Sequence, residues 1–125
     1  MKLTILDRIT ITGILPKKSD FVTLRIVKEL KKRLSFTEEE RKEYGLQTIH
    51  KPDRTGSSIV WNNKGRDAEF DIKIVKLERE IIIKQLDMLN ISKKANNGHL
   101  ALYDKVVAFH EEMKIKEKAS KKKKV

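Results

Sequence analysis

The sequence predicts an α+β fold with about five helices, a small antiparallel sheet of two to three strands and a disordered basic C-terminal tail. Apolar residues recur at helical spacing in several segments, and β-prone residues flank turn-rich stretches in the middle of the chain. The last residues are rich in lysine and have no apolar periodicity. With 125 residues, 38% of them apolar, we expect one compact domain over 1–115 and a flexible tail over 116–125.

The first segment, residues 3–14, fits both helical and alternating spacing, and we favour a helix. Pro16 ends it. Asp20 is placed to cap a second helix over 21–34, because its carboxylate can accept from unpaired backbone amides. The apolar stripe of this helix consists of Phe21, Leu24, Val27, Leu30 and Leu34.

A capping box predicts a third, short helix over 38–44. In this motif the Thr37 hydroxyl accepts from the Glu40 backbone amide, and the Glu40 carboxylate accepts from the Thr37 backbone amide. Gly45 ends this helix, because glycine tolerates the left-handed conformation that closes helices. The helix therefore has clear signals at both ends.

The β-prone residues of 46–50 and 57–62 predict a hairpin around a turn-rich loop, and alternation over 69–74 predicts a third strand. The pairing of the third strand stays open. Helical spacing then returns over 76–90 and 99–115.

Several stretches resemble small uncharacterised proteins carried by bacteriophages and prophages. They are Leu3 to Arg8 running on to Ile14-Leu15-Pro16, the helix after Asp20, Leu34 to Glu40, Phe70-Asp71-Ile72 and Leu102-Tyr103-Asp104-Lys105. The resemblance covers about two thirds of the chain, outside the loop 51–56 and the lysine tail. It implies a phage setting and an α+β fold. It carries over no functional residue.

Charge is the feature of the composition that bears most on function. The formal net charge is +11, and residues 114–125 hold seven lysines against one glutamate. A flexible polycation can bind nucleic acid by releasing condensed counterions, without reading the sequence. The same charges could serve an anionic membrane or an acidic protein, or only keep the chain soluble. Ser120 to Val125 also resembles a nuclear import signal, which matters only in a eukaryotic cell.

A second basic group lies at the start and on one face of the second helix. Lys17 and Lys18 precede the helix, and Arg25, Lys28 and Lys32 share a face that we expect to point away from the apolar stripe. They could line a phosphate backbone. The alternative, which we favour for this group alone, is the ordinary solvent face of an amphipathic helix.

A third group of basic residues, a weaker candidate for nucleic-acid binding, lies near the predicted hairpin. Arg54, Lys64 and Arg66 flank Trp61, and a basic two-stranded ribbon can enter a major groove or stack bases on an aromatic side chain. We favour a buried structural role for this tryptophan. The loop 54–58 has small and hydroxyl residues but lacks the spacing and lysine of a phosphate-binding P-loop.

The sequence gives little support for catalysis or metal binding. The chain has no cysteine, which excludes disulfides, thiolate metal sites and cysteine nucleophiles. His50, His99 and His110 lack the paired spacing of known zinc motifs, and no spacing marks a nucleophile with its base. We therefore predict no enzyme activity, no metal and no cofactor.

The sequence thus predicts a non-enzymatic basic protein, a phage accessory factor that associates electrostatically with nucleic acid. The alternative is a protein-interaction module, such as a virion component, an inhibitor of a host protein or a homodimer. Charged residues break every apolar run, so we expect no membrane span, no signal peptide and a cytoplasmic location. The predicted nucleic-acid-binding residues are Lys17, Lys18, Arg25, Lys28, Lys32, Arg54, Lys121, Lys122, Lys123 and Lys124.

Overall fold

The computed structural model describes the backbone of residues 1–50 and 57–123 and the side chains of residues 1–49 and 59–118. Within this part of the chain the α+β class is confirmed. The helices are α1 (Ile5–Ile14), α2 (Phe21–Leu34), α3 (Glu38–Glu43), α4 (Asn63–Arg66), α5 (Lys76–Ile91) and α6 (Asn97–Lys123). The strands are β1 (Lys2–Thr4), β2 (Gln47–His50), β3 (Ser57–Val60) and β4 (Glu69–Asp71).

The strands form two separate antiparallel ladders instead of one small sheet. The predicted hairpin is present as β2 paired with β3, with Thr48 opposite Ile59. The predicted third strand is shorter than 69–74 and pairs with β1, so that Leu3 lies opposite Phe70. This pairing brings together the start and the middle of the chain.

The ambiguous segment 3–14 contains both kinds of structure. Its first residues belong to β1, and α1 begins after Thr4, whose hydroxyl accepts from the Asp7 amide at 3.1 Å. The Asp7 carboxylate accepts from the Thr4 amide at 3.0 Å, which completes a capping box. The alternation and the helical spacing therefore each indicated a real element. The prediction of an unbroken helix was wrong at its first residues.

A single apolar core lies between the helices and the β1–β4 ladder. It consists of Leu3, Ile11, Leu15, Val27, Leu30, Leu34, Ile72, Ile74, Ile82, Leu86, Leu102 and Val106. Helices α1, α2, α5 and α6 each contribute one face to it. Two arginines, Arg8 and Arg79, are also buried, and both have partners that the helical spacing did not reveal.

The C-terminal segment differs from the prediction. Helix α6 continues to Lys123, so the backbone of 116–123 is helical where a disordered tail was expected. Lysine, glutamate and alanine favour helices, and the Lys116 ammonium lies 3.4 Å from the Glu112 carboxylate one turn earlier. The division at residue 115 into a domain and a flexible tail stays a prediction.

A short helix, α4, lies between the β2–β3 ladder and β4. The Asn62 side chain accepts from the Gly65 amide at 2.9 Å and thereby caps it. Gly65 is buried, and a Cβ at this position would lie 2.9 Å from the Ile5 Cδ1 atom. Glycine is therefore required for the close approach between α4 and α1.

None of the helices in the described residues is long and apolar enough to cross a membrane.

Candidate nucleic-acid interface

Helix α2 carries the basic group that the structure brings together best. Its start is fixed by Asp20, whose carboxylate accepts from the Thr23 amide at 2.8 Å and from the Thr23 hydroxyl at 2.9 Å. These two hydrogen bonds lower the pKa of Asp20 below its usual value. Val27, Leu30 and Leu34 are buried, so one face of the helix is fixed against the core. The predicted N-cap is confirmed.

A groove of about 560 Å³ runs along the side of α2 next to the α1–α2 connection. Its floor is apolar and its rim is basic. It is lined by Pro16, Lys17, Leu24, Val27, Lys28, Lys31, Lys32 and Ser35. Four lysine side chains therefore border one concave surface, and three of them come from a single helix.

The predicted basic face of α2 lies beside this groove: Arg25, Lys28 and Lys32 are exposed, and Lys28 and Lys32 also line the groove. Leu24 and Lys28 lie four residues apart and are therefore neighbours on the helix surface. Leu24 is only partly buried, so it and Lys28 line the same groove. The lysines thus border the edge of the apolar stripe, where an apolar floor and positive charges meet.

Ion pairing leaves most of this charge available. Lys32 lies 3.1 Å from the Glu29 carboxylate, and both side chains are exposed, so solvent screens this pair. Among the described residues, Lys17, Lys28 and Lys31 have no carboxylate within ion-pair distance. The groove therefore carries a net positive charge.

The helix dipole explains only part of the arrangement. Lys31, Lys32 and Arg33 lie in the last turn of α2, where positive charge stabilises the negative end of a helix. Lys17 lies before the helix and Lys28 lies before its last turn, so the dipole gives no reason for either. Arg33 faces elsewhere, because its guanidinium binds the Glu78 carboxylate and the Lys73 carbonyl.

The other predicted binding residues lie apart from the groove or outside the described side chains. Lys18 and Arg25 are exposed but are not among the described residues that line it. Arg54 and Lys124 lie outside the described residues, and so does most of the loop 54–58. Lys121, Lys122 and Lys123 belong to α6 by their backbone, and their side chains lie outside the described part.

The sequence analysis missed Lys31 on this surface and the exposure of Phe21 earlier on the same helix. Lys31 lies three residues after Lys28 and seven after Leu24, a spacing that would have placed it on the groove. Phe21 was predicted on the buried stripe, but it is 80% exposed. It lies in the first turn of α2, nine residues before the buried Leu30, and at about 3.6 residues per turn the two lie on opposite sides of the helix.

The basic residues near the hairpin do not form a comparable surface. The Lys64 ammonium lies 2.7 Å from the Glu43 carboxylate, and this contact raises the pKa of Lys64. Trp61 is half-buried, with its ring edge 3.1 Å from where a Cβ on Gly65 would stand. Its position fits a structural role better than an exposed stacking surface.

The histidines serve local structure. His110 is buried and its Nδ1 atom accepts from Arg79 Nε at 3.0 Å. His99 and Asn96 exchange hydrogen bonds between backbone and side chain at the start of α6. The His50 side chain lies outside the described part. No group of three or more metal-ligating side chains occurs among the described residues.

Comparison with known proteins leaves the site to be interpreted from its own geometry. No family model, no curated protein and no solved structure matches this chain.

Proposed function

We propose that this protein is a non-enzymatic nucleic-acid-binding protein that associates with the phosphate backbone through the lysine groove of α2. The observation that carries the proposal is the convergence of Lys17, Lys28, Lys31 and Lys32 on one concave surface. Three of these lysines have no carboxylate partner among the described residues. The lysines at the end of α6 would add further positive charge.

Binding of this kind depends on charge neutralisation. Each phosphate that a lysine neutralises releases condensed counterions, so the affinity falls steeply as salt rises. Lysine acts as a flexible point charge and does not read base edges in a fixed geometry. In the described part, all four rim residues are lysines, so we expect little sequence specificity.

The biological setting enters through the sequence resemblance alone. The core and capping residues resemble those of small bacteriophage proteins, and on that resemblance we propose an accessory factor that works in the cytoplasm of the host cell. The position of the gene among structural, replication or defence-evasion genes would test this setting directly.

Fluorescence anisotropy with labelled oligonucleotides at graded salt tests the binding. The test variant changes Lys17, Lys28, Lys31 and Lys32 to glutamine. The matched control changes four exposed lysines elsewhere, Lys42, Lys76, Lys84 and Lys94, also to glutamine. Both variants lose four positive charges, so the comparison separates the groove from the net charge.

We expect the groove variant to bind at least about tenfold more weakly, and its logarithmic salt slope to become shallower by up to about 3. The control should change both quantities much less. Equal losses in the two variants would show that only net charge matters. An absence of binding by the unaltered protein at low salt would refute the proposal.

A second candidate function has one observation in its favour. The β2–β3 ribbon shows Ile49, Ile59 and Val60 exposed to solvent, and the described strands cover neither of its edges. Such an edge can pair with a strand of another chain, including a second copy. Sedimentation of the purified protein tests whether two copies associate. Pull-down from nuclease-treated host lysate tests whether a different protein binds. A nuclease-sensitive capture would instead support the first proposal.

A further inference from the structure

The helix that carries the groove has an exposed aromatic residue, Phe21, which does not line the groove itself and which phosphate binding alone does not use. Phe21 is 80% exposed at the start of the helix and Leu24 is partly exposed on the floor of the groove. Phe21, Leu24, Lys28, Lys31 and Ser35 follow one another at steps of three and four residues. They therefore form one stripe along the helix, with an aromatic ring at one end and lysines along the rest.

We propose, on the basis of the function proposed above, that the groove prefers single-stranded over duplex nucleic acid because Phe21 stacks on an unpaired base. Lys28 lies seven residues beyond Phe21, about 10 Å along the helix axis at 1.5 Å per residue. A base on the ring and the phosphates that follow it can therefore meet the same helix face.

The physical reason for the preference is the state of the bases. In a duplex the bases are stacked on one another, and a single exposed phenylalanine gains no contact with their faces. In a single strand the bases can turn outward, and every base presents a π face, so stacking on an aromatic side chain needs no particular sequence. The lysines contribute to the binding of both single strands and duplexes, and the Phe21 ring contributes only to the binding of single strands.

Charge complementarity identifies the occupant as a polyanion, and the ring identifies which polyanion. An acidic peptide could neutralise the lysines, but it would not need an aromatic platform at the end of the stripe. The chemistry that uses both the rim and Phe21 is a flexible chain of alternating phosphates and aromatic rings. Single-stranded DNA and RNA both have it, and the described residues offer no feature that separates the two.

Variants at Phe21 test the inference with little risk to folding, because the side chain is mostly exposed. Phe21→Ala removes the ring, Phe21→Leu keeps apolar area without a π face, and Phe21→Trp restores an aromatic face. Val22→Ala is the matched control, since Val22 is also exposed but lies off the stripe. The probes are a labelled oligothymidylate and a mixed-sequence duplex of the same length, both measured by anisotropy.

We expect the unaltered protein to bind oligothymidylate more tightly than the duplex. Phe21→Ala and Phe21→Leu should weaken oligothymidylate binding by about tenfold and leave duplex binding unchanged, because stacking contributes only to the single strand. Phe21→Trp should restore the affinity, and Val22→Ala should match the unaltered protein.

The outcomes separate this inference from the proposed function. No binding to either probe would refute both. Equal binding to the two probes, or equal effects of Phe21→Ala on both, would refute the preference and leave the electrostatic binding standing. If Phe21→Ala weakened oligothymidylate binding and Phe21→Leu did not, apolar area would suffice for binding. That result would overturn the stacking argument. A Phe21→Ala effect on self-association in place of DNA binding would also overturn it.

Discussion

Arg8 and Glu40 join the first helix to the capping box of the third. The Nη1 atom of Arg8 donates to Glu40 Oε2 at 2.9 Å, and Nη2 lies 3.4 Å from Oε1. Arg8 also donates to the backbone carbonyls of Leu34 at 3.1 Å and Ser35 at 2.7 Å, where α2 ends. One buried side chain therefore holds together α1, the end of α2 and the start of α3.

The aromatic contacts of Arg8 strengthen this junction. Its guanidinium carbon lies 4.0 Å from the ring centre of Phe36 and 4.7 Å from that of Phe70. Cation–π contacts of this kind are more favourable when the cation is desolvated, and Arg8 is only 3% exposed. Arg8 lies three residues from both Ile5 and Ile11, so the helical spacing places it on the buried face of α1 although it is charged.

Replacement of Arg8 by methionine should lower the free energy of unfolding by about 2–4 kcal/mol. The new side chain fills similar volume but leaves the buried Leu34 carbonyl, the partly buried Ser35 carbonyl and the Glu40 carboxylate without the Arg8 donor. Urea unfolding followed by circular dichroism measures the change. Arg41→Met, at an exposed position on α3, is the control and should stay within about 0.5 kcal/mol of the unaltered protein. Equal stability of the two variants would contradict the role given to Arg8.

The Arg8–Glu40 pair also predicts a pH dependence of stability. Burial acts to raise the pKa of Glu40, but the hydrogen bond and charge of Arg8 and the Thr37 amide outweigh it, and the pKa falls below 4.5. Because the folded pKa lies below the unfolded one, the stabilisation is present above the unfolded pKa. It is lost as the pH falls through the folded pKa.

Glu40→Gln should therefore be less stable than the unaltered protein at neutral pH, by about 1–3 kcal/mol. The difference should shrink as the pH falls through the folded pKa of Glu40, which lies below the usual glutamate value, because Glu40 itself then becomes protonated. Urea unfolding at a series of pH values measures both curves. Asp20, whose pKa is lowered by Thr23, leaves some acid dependence in the variant. A constant difference at all pH values would show that the charge of Glu40 contributes nothing.

Local signals explain why part of this fold could be predicted from the sequence. The caps at Asp20 and Thr37 act within three residues, so the sequence alone contains both partners of each hydrogen bond. The capping box of Thr4 and Asp7 has the same form with aspartate in place of glutamate, and it would have placed the boundary between β1 and α1.

Contacts between distant segments explain the rest. The pairing of Leu3 with Phe70 joins residues far apart in the chain, and alternation in 69–74 could not name its partner. The groove depends on how Pro16 and Lys17 pack beside α2, which the spacing within α2 does not contain.

Two glycines should respond in opposite directions to the same substitution. Gly65→Ala should destabilise the protein by about 1–3 kcal/mol, because the new Cβ would stand 2.9 Å from Ile5 Cδ1 and 3.2 Å from Tyr44 Cβ. Gly13→Ala, in α1 with no atom within 4 Å of the new Cβ, should stabilise it by about 0.5–1 kcal/mol. Thermal and urea unfolding measure both. A shift of the same sign in the two variants would contradict the packing described around α4.

The buried Arg79–His110 pair should show strong energetic coupling. Arg79 is 2% exposed, and within the described part of the chain its Nη2 atom has no hydrogen-bond partner, although Glu117 Oε1 lies 3.8 Å away. His110→Leu removes the acceptor of Nε as well and should cost about 2–4 kcal/mol of stability.

Adding Arg79→Met to His110→Leu should recover at least about 1 kcal/mol, because the double variant no longer buries a guanidinium with few partners. A double-mutant cycle by urea unfolding gives the coupling energy. Additive losses from the two substitutions would mean that the pair is held by other contacts, such as the Arg79 Nη1 bond to the Ile74 carbonyl at 2.9 Å.

The lysines at the end of α6 should strengthen binding without choosing the form of nucleic acid. Removal of residues 119–125 takes away Lys121, Lys122, Lys123 and Lys124 but keeps Glu117 beside Arg79. We expect the truncated chain to bind oligothymidylate and duplex more weakly by similar factors and with shallower salt slopes, because point charges act on the phosphates of both. The ratio of the two affinities should stay that of the full chain. Anisotropy at salt concentrations of about 50–200 mM measures this ratio. Its collapse on truncation would place the preference at the end of α6 and not at Phe21.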